Sequence, residues 1–76
     1  MLSKLPKAEV AELHALADEL SAKSGLPFRI EYDPAEPHFL KVTYKKTAAD
    51  IIDKHRDLAL SAYHDLNTLK AALRKL

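Results

Sequence analysis

Residues 28–45 read FRIEYDPAEPHFLKVTYK. Apolar and charged residues alternate in the first part of this segment and again after its prolines, which is typical of two half-buried strands. The two prolines between them fix φ and cannot donate to a strand ladder, and Asp33 favours a local side-chain hydrogen bond. The segment therefore predicts a β-hairpin with strands over about residues 27–33 and 38–45.

The two faces of this hairpin differ in character. One face carries the alternating apolar side chains, which are predicted to lie in the core: Phe28, Ile30, Tyr32, Leu40, Val42 and Tyr44. The opposite face is a candidate partner-binding or nucleic-acid-binding surface, made of Arg29, Phe39, Lys41, Thr43 and Lys45. Cations around an exposed aromatic ring are typical of sheets that stack a base and contact phosphates. Glu31 and Asp33 on the same face oppose that interpretation, so a solvated face and a protein-binding face stay as alternatives.

Helical periodicity flanks the hairpin on both sides. Upstream, apolar residues recur every three or four positions over about residues 6–24, and Gly25 follows as a stop signal. Downstream, Thr47 and Asp50 have the spacing of a capping box, in which each residue accepts a hydrogen bond from the backbone of the other. An apolar stripe continues from there to the end of the sequence, so the pattern predicts one long helix over about residues 47–75.

The predicted fold is a single α+β domain over residues 1–76, with the order α-β-β-α and both helices on one face of the hairpin. A second helix of about 29 residues would be about 43 Å long, against roughly 25 Å for a strand of seven or eight residues. The leucines on the overshooting half would then lack cover from the hairpin, and they form a seam of Leu66, Leu69, Leu73 and Leu76.

Self-association would cover this leucine seam. The chain has 76 residues and no cysteine, and small domains without disulfides often gain stability by association. A lone hairpin also has two open edges, and two copies paired edge to edge would form a four-stranded sheet. We therefore predict a homodimer. The alternative is a monomer in which the first helix covers the leucines.

The sequence lacks the usual components of a catalytic or metal site. It has one glycine, no cysteine, and four histidines without the His-x3-His spacing of a helical metal site. His55 falls on the apolar stripe of the predicted second helix, where it is either a hydrogen-bonded core residue or a proton-transfer or pH-sensing group. Catalysis would need a second positioned group, which the pattern does not supply. We therefore expect no enzyme activity, no metal and no cofactor.

Charge and hydropathy limit the expected partners. The net charge is +1 at pH 7 and no region is strongly basic. No apolar segment approaches the ~18 residues of a membrane span, and the N-terminus lacks the apolar run of a signal peptide, so we expect a cytoplasmic protein that does not contact a membrane. No family signature is present. The Gly-x-x-Gly loop of a KH domain is absent, and the third strand of a double-stranded-RNA-binding domain is not predicted.

These features together favour a small non-catalytic protein-interaction module. Such a protein would act as an accessory, adaptor, regulator or inhibitor of a larger macromolecule, and it would bind itself and an unidentified protein. The first alternative is a weak nucleic-acid-binding protein that uses the outer face of the hairpin. The second is a pH-responsive or catalytic site at His55. The order of helices and strands does not decide between them.

Overall fold

The structure is a computed structural model that describes residues 2–76. It contains two helices and a three-stranded antiparallel sheet, which confirms the predicted α+β class. The strands lie in chain order, so the second strand is central. The elements are α1 (Lys7–Ser24), β1 (Phe28–Glu31), β2 (Phe39–Tyr44), β3 (Lys54–Ala59), a short 3-10 helix (Leu60–Ala62) and α2 (Leu66–Arg74).

The first helix and the hairpin form where the sequence places them, with shorter strands. Helix α1 ends at Gly25, whose φ of 69° is left-handed and whose N–H donates to the Ser21 carbonyl at 2.9 Å. Glycine adopts this conformation without steric cost. Strands β1 and β2 pair antiparallel with Ile30 opposite Val42. Asp33 accepts a hydrogen bond from a backbone N–H within the turn at 2.9 Å, as turn-forming aspartates do.

The prediction of one long helix over residues 47–75 is wrong. This part of the chain forms a loop, strand β3, the 3-10 helix and the short helix α2. Strand β3 pairs antiparallel with β2, with Leu58 opposite Leu40. It thereby satisfies the backbone groups along the second edge of the central strand, which a helix would have left open. Leu60 follows directly; its side chain is fully buried and its N–H donates to the His38 carbonyl at 2.9 Å.

Helix α2 begins after Asp65 because this residue caps it. The Asp65 carboxylate accepts hydrogen bonds from the Thr68 N–H and the Thr68 hydroxyl, each at 2.8 Å. Such a cap satisfies N–H groups that have no partner within the helix. The predicted capping box forms only in part and starts no helix. Its Asp50 carboxylate reaches back to the N–H groups of Lys46 and Thr47, at 3.0 and 3.2 Å, and closes an isolated turn.

The core lies between the two helices and one face of the sheet. Its fully buried large side chains come from α1, β2, the 3-10 helix and α2: Leu13, Leu40, Val42, Leu60, Leu69 and Leu73. The two remaining leucines of the predicted seam, Leu66 and Leu76, are half-buried against this core. The seam is therefore a core seam of one chain. The predicted overshoot does not exist, because α2 has only nine residues.

The leucine seam does not require a homodimer. The leucines that required a partner are covered by the same chain. Each chain also contributes three strands rather than two, so two copies paired edge to edge would not form the four-stranded sheet of the prediction. The small size of the chain and the absence of cysteine remain as reasons to expect self-association.

We expect Leu69→Ala to destabilise the domain by about 2–5 kcal/mol, because it removes most of a fully buried side chain and leaves a cavity. Leu66→Ala is the matched control in the same helix, and it should have a clearly smaller effect because Leu66 is only half-buried. Urea denaturation followed by circular dichroism measures both. Small and equal losses for the two variants would show that the seam is not buried as described.

The Asp65 cap predicts part of the pH dependence of stability. Hydrogen bonds from the Thr68 N–H, and next from its hydroxyl, lower the pKa of Asp65 from its ordinary 3.8. The folded pKa therefore lies below the unfolded one, so the cap stabilises the fold above the unfolded pKa and this contribution is lost as the pH falls through the folded pKa.

Asp65→Asn keeps a cap without the charge. The variant should retain most of its stability at pH 7 and lose less than the parent between pH 5 and pH 2, as measured by urea midpoints. An acid sensitivity equal to that of the parent would contradict the assignment.

Candidate functional site

The sheet face that points away from the helices is uncovered. Along β2, exposed or half-exposed residues alternate with buried ones, so every second side chain points outward. The strand register arranges the outward positions in three rows: Arg29, Thr43 and His55; Glu31, Lys41 and Asp57; and Phe39 with Ala59. We call these eight residues the outer face. Four of the five predicted binding residues belong to it, and their grouping agrees with the sequence prediction.

Phe39 is the apolar feature of the outer face. Its side chain is 47% exposed, whereas the large apolar residues of the other face of β2 are buried. It lies at the start of β2, next to the turn, and its N–H donates to the Glu36 carbonyl at 3.3 Å. An exposed aromatic ring gains free energy when a partner covers it. It is therefore suited to act as an anchor in a complex.

The two cations of the outer face each pair with a neighbouring acid. The Arg29 Nε atom lies 3.1 Å from a carboxylate oxygen of Glu31, and the Lys41 Nζ atom lies 3.4 Å from a carboxylate oxygen of Glu36. The hydrogen bond and the negative charge of Glu36 raise the pKa of Lys41 above its ordinary 10.5, and Asp57 adds to this effect. These pairs are solvent-exposed, so they contribute little to folding. They do make the outer face electrostatically mixed rather than basic.

Lys45, the fifth predicted residue, lies just beyond the outer face. It follows the last residue of β2, and its backbone N–H still donates to the Pro27 carbonyl at 3.2 Å. Its Nζ atom lies 3.8 Å from a carboxylate oxygen of Asp53 at the other end of the loop between β2 and β3. Lys45 therefore closes the base of this loop, and it does not extend the row of outer-face residues.

His55 lies on the outer face and not in the apolar core. The sequence prediction failed here because residue 55 belongs to a strand, where its side chain alternates outward, and not to a helix. The side chain is exposed, and its Nδ1 atom is 3.3 Å from the Thr43 hydroxyl oxygen. Within residues 2–76, no three His, Asp or Glu side chains lie close enough together to hold a metal ion. The outer face is thus a surface of exposed polar contacts with one aromatic ring in its end row.

The loop between β2 and β3 carries two strongly exposed isoleucines that the sequence analysis assigned to a helix. Ile51 is 92% exposed and Ile52 is 79% exposed. No apolar residue lies within three positions on either side except two alanines, and acids stand directly before and after the pair. This isolation of an Ile-Ile pair between Asp50 and Asp53 was the available signal that the segment is not a regular amphipathic helix.

A cavity opens beside this loop, between the C-terminal ends of α1 and α2. Its volume is about 480 Å³. Six of the residues that line it are apolar: Leu20, Leu26, Phe28, Tyr44, Leu73 and Leu76. The other lining residues are polar, and the charged ones among them are all cations: Lys23, Lys45, Lys46 and Arg74. We refer to it as the basic cavity.

Comparison of the chain with protein-family models, with curated proteins and with solved structures finds no match. The sequence predicted no third strand, and this absence opposed a double-stranded-RNA-binding domain. The structure contains a third strand, so that prediction is wrong. The order of helices and strands does not assign a function, so a function has to be inferred from the chemistry of the surfaces. No helix in the part of the chain that the structure describes is long and apolar enough to cross a membrane.

Proposed function

We propose that the protein is a small non-catalytic interaction module that binds another protein through its outer face. The observation that carries this proposal is the composition of the face, in which one half-exposed phenylalanine lies in the end row, next to the charged row of Glu31, Lys41 and Asp57. Aromatic residues are enriched among the side chains that anchor protein interfaces, where polar residues commonly lie beside them. The partner that fits is a protein surface with an apolar pocket for Phe39 and a mixed set of charges around it.

Nucleic acid fits the outer face less well. A cation binds phosphate well when it displaces mobile counterions from the nucleic acid and has no fixed acid beside it. Here Arg29 and Lys41 already have carboxylate partners. A phosphate backbone would also meet the carboxylates of Glu31 and Asp57 in the same row as Lys41. A protein surface with charges of both signs can complement such a pattern without leaving like charges opposed. We therefore place the nucleic-acid function second.

Self-association and a cytoplasmic location complete the proposal. The small size and the absence of disulfides still favour association, although the leucine seam does not. The exposed pair Ile51 and Ile52 supplies a new reason, because exposed apolar side chains gain free energy when they are covered. A chain without cysteine is compatible with a reducing compartment. We also retain the proposal that the protein is not an enzyme.

Site-specific photocrosslinking tests the proposed partner. A photoreactive benzoylphenylalanine at position 39, in the cells that make the protein, should give a discrete adduct with one protein. The same group at Ala22, an exposed position on α1, is the matched control and should not give this adduct. With the purified partner, Phe39→Ala should weaken binding at least about tenfold, or ~1.4 kcal/mol, with little change in the melting temperature.

Two outcomes would contradict the proposal. One is the absence of any adduct specific to position 39. The other is an adduct that nuclease removes, together with a shift of labelled RNA or DNA that Lys41→Glu combined with Lys45→Glu abolishes and that added salt weakens. The second outcome would establish the nucleic-acid function in place of protein binding.

A further inference from the structure

The exposed isoleucines and the basic cavity are neighbours on the same end of the molecule. Lys45 and Lys46 begin the loop that carries Ile51 and Ile52, and the same two lysines line the cavity. The isoleucines nevertheless do not fill the cavity of their own chain, since both are almost entirely exposed. One end of the molecule therefore presents an apolar protrusion and an apolar recess side by side, each without a partner in the chain.

The loop is shaped by its own hydrogen bonds. The Asp50 carboxylate accepts from two backbone N–H groups, and the Asp50 N–H donates to the Thr47 carbonyl at 3.1 Å. The ion pair between Lys45 and Asp53 joins the two ends of the loop at 3.8 Å. Ile51 and Ile52 are therefore presented by a closed turn, which lowers the entropy that would be lost when they are buried by a partner.

The basic cavity complements this loop in both polarity and charge. The ring pair of Phe28 and Tyr44, with centroids 6.0 Å apart, forms part of its apolar wall. The four side chains with charge among its lining residues are all cations, and no acid lies among the residues of the described chain that line it. The loop carries charges of both signs, with Lys45 and Lys46 at its start and Asp50 and Asp53 on either side of its apolar pair. Since Lys45 and Asp53 pair within the loop, Asp50 is the acid that can attract Lys23 and Arg74 of another copy, in addition to the apolar contact.

We infer that the chain forms a homodimer in which Ile51 and Ile52 of each copy insert into the basic cavity of the other. Because loop and cavity share one end of the molecule, two copies related by a twofold axis can make both insertions at once, which closes the assembly at two chains. Asp50 of each copy then lies near Lys23 and Arg74 of the other copy, while Asp53 keeps its ion pair with Lys45. This inference rests on the dimer of the proposed function and gives it an interface. It is independent of the outer face.

Sedimentation equilibrium on the full chain gives the first test. The parent protein should be dimeric at micromolar concentration. The double variant Ile51→Ser with Ile52→Ser should raise the dimer dissociation constant at least tenfold, and its fold should persist because both side chains are exposed. The double variant Ala8→Ser with Ala62→Ser is the matched control, since it changes two exposed apolar residues outside the loop, the cavity and the outer face, and it should leave the dissociation constant unchanged.

Disulfide trapping identifies which surfaces meet, and the absence of native cysteine makes it unambiguous. Two single variants are mixed, a tagged Ile52→Cys chain and an untagged Ser24→Cys chain, since Ser24 lies at the edge of the cavity. A mixed disulfide should form rapidly between them. A mixture of Phe39→Cys and Ser24→Cys chains is the control and should form it at least tenfold more slowly.

The possible failures are distinguishable. A parent protein that stays monomeric at high micromolar concentration overturns both the dimer of the proposed function and this inference. A dimer that persists in the Ile51→Ser, Ile52→Ser variant, with no preferential disulfide between positions 24 and 52, overturns the inference and leaves the dimer in place. A chain carrying both cysteines that forms only an intrachain disulfide shows that the loop covers its own cavity, and this also overturns the inference.

Discussion

The antiparallel pairing of β3 with β2 is the constraint on which the rest of the structure depends. It satisfies both edges of the central strand, so that only β1 and β3 remain at the edges of the sheet. It takes six residues out of the predicted helix, and α2 is then short enough for its leucines to be covered by one chain. It also produces the loop that exposes Ile51 and Ile52, and it adds His55 and Asp57 to the outer face. The exposed loop and the β3 side of the outer face are thus consequences of the third strand.

The hairpin and α1 were predictable because their residues follow one clear period each. Strand β3 does not. Its first four residues, 54–57, are all polar, so the alternation that marks a half-buried strand is absent at this edge of the sheet. Of the residues in β3, only Leu58 is buried, and Leu60 follows it into the core. Ile52 and Ala59 continue the leucine spacing of α2 backwards along the sequence, so the segment resembles one long helix with an apolar stripe. The Asp65 cap with Thr68 was the cue for a later helix start, because aspartate three residues before threonine suits an N-cap.

The outer face was predictable as a group of residues but not as an electrostatic surface. Alternation along β2 places Phe39, Lys41 and Thr43 on one side whichever strands lie beside it. Which side chains lie beside these three residues depends on the strand register and on the turn, and the alternation of residues along one strand does not encode either of them. The sequence therefore showed the cations of the face, whereas the structure shows that Glu31 and Glu36 pair with two of them. That difference supports the proposal of a protein partner, which the sequence already favoured over nucleic acid.

Residues 54–59 form a strand against β2, and the loop that carries Ile51 and Ile52 depends on this pairing. Two-dimensional nuclear Overhauser spectroscopy on the labelled protein measures this directly. The structure predicts cross-strand backbone contacts between β2 and β3 in the register that sets Leu40 opposite Leu58, with strand-type chemical shifts over residues 54–59. Continuous contacts between residues three apart, of the kind that helices give, over residues 47–75 would contradict the third strand and every surface derived from it.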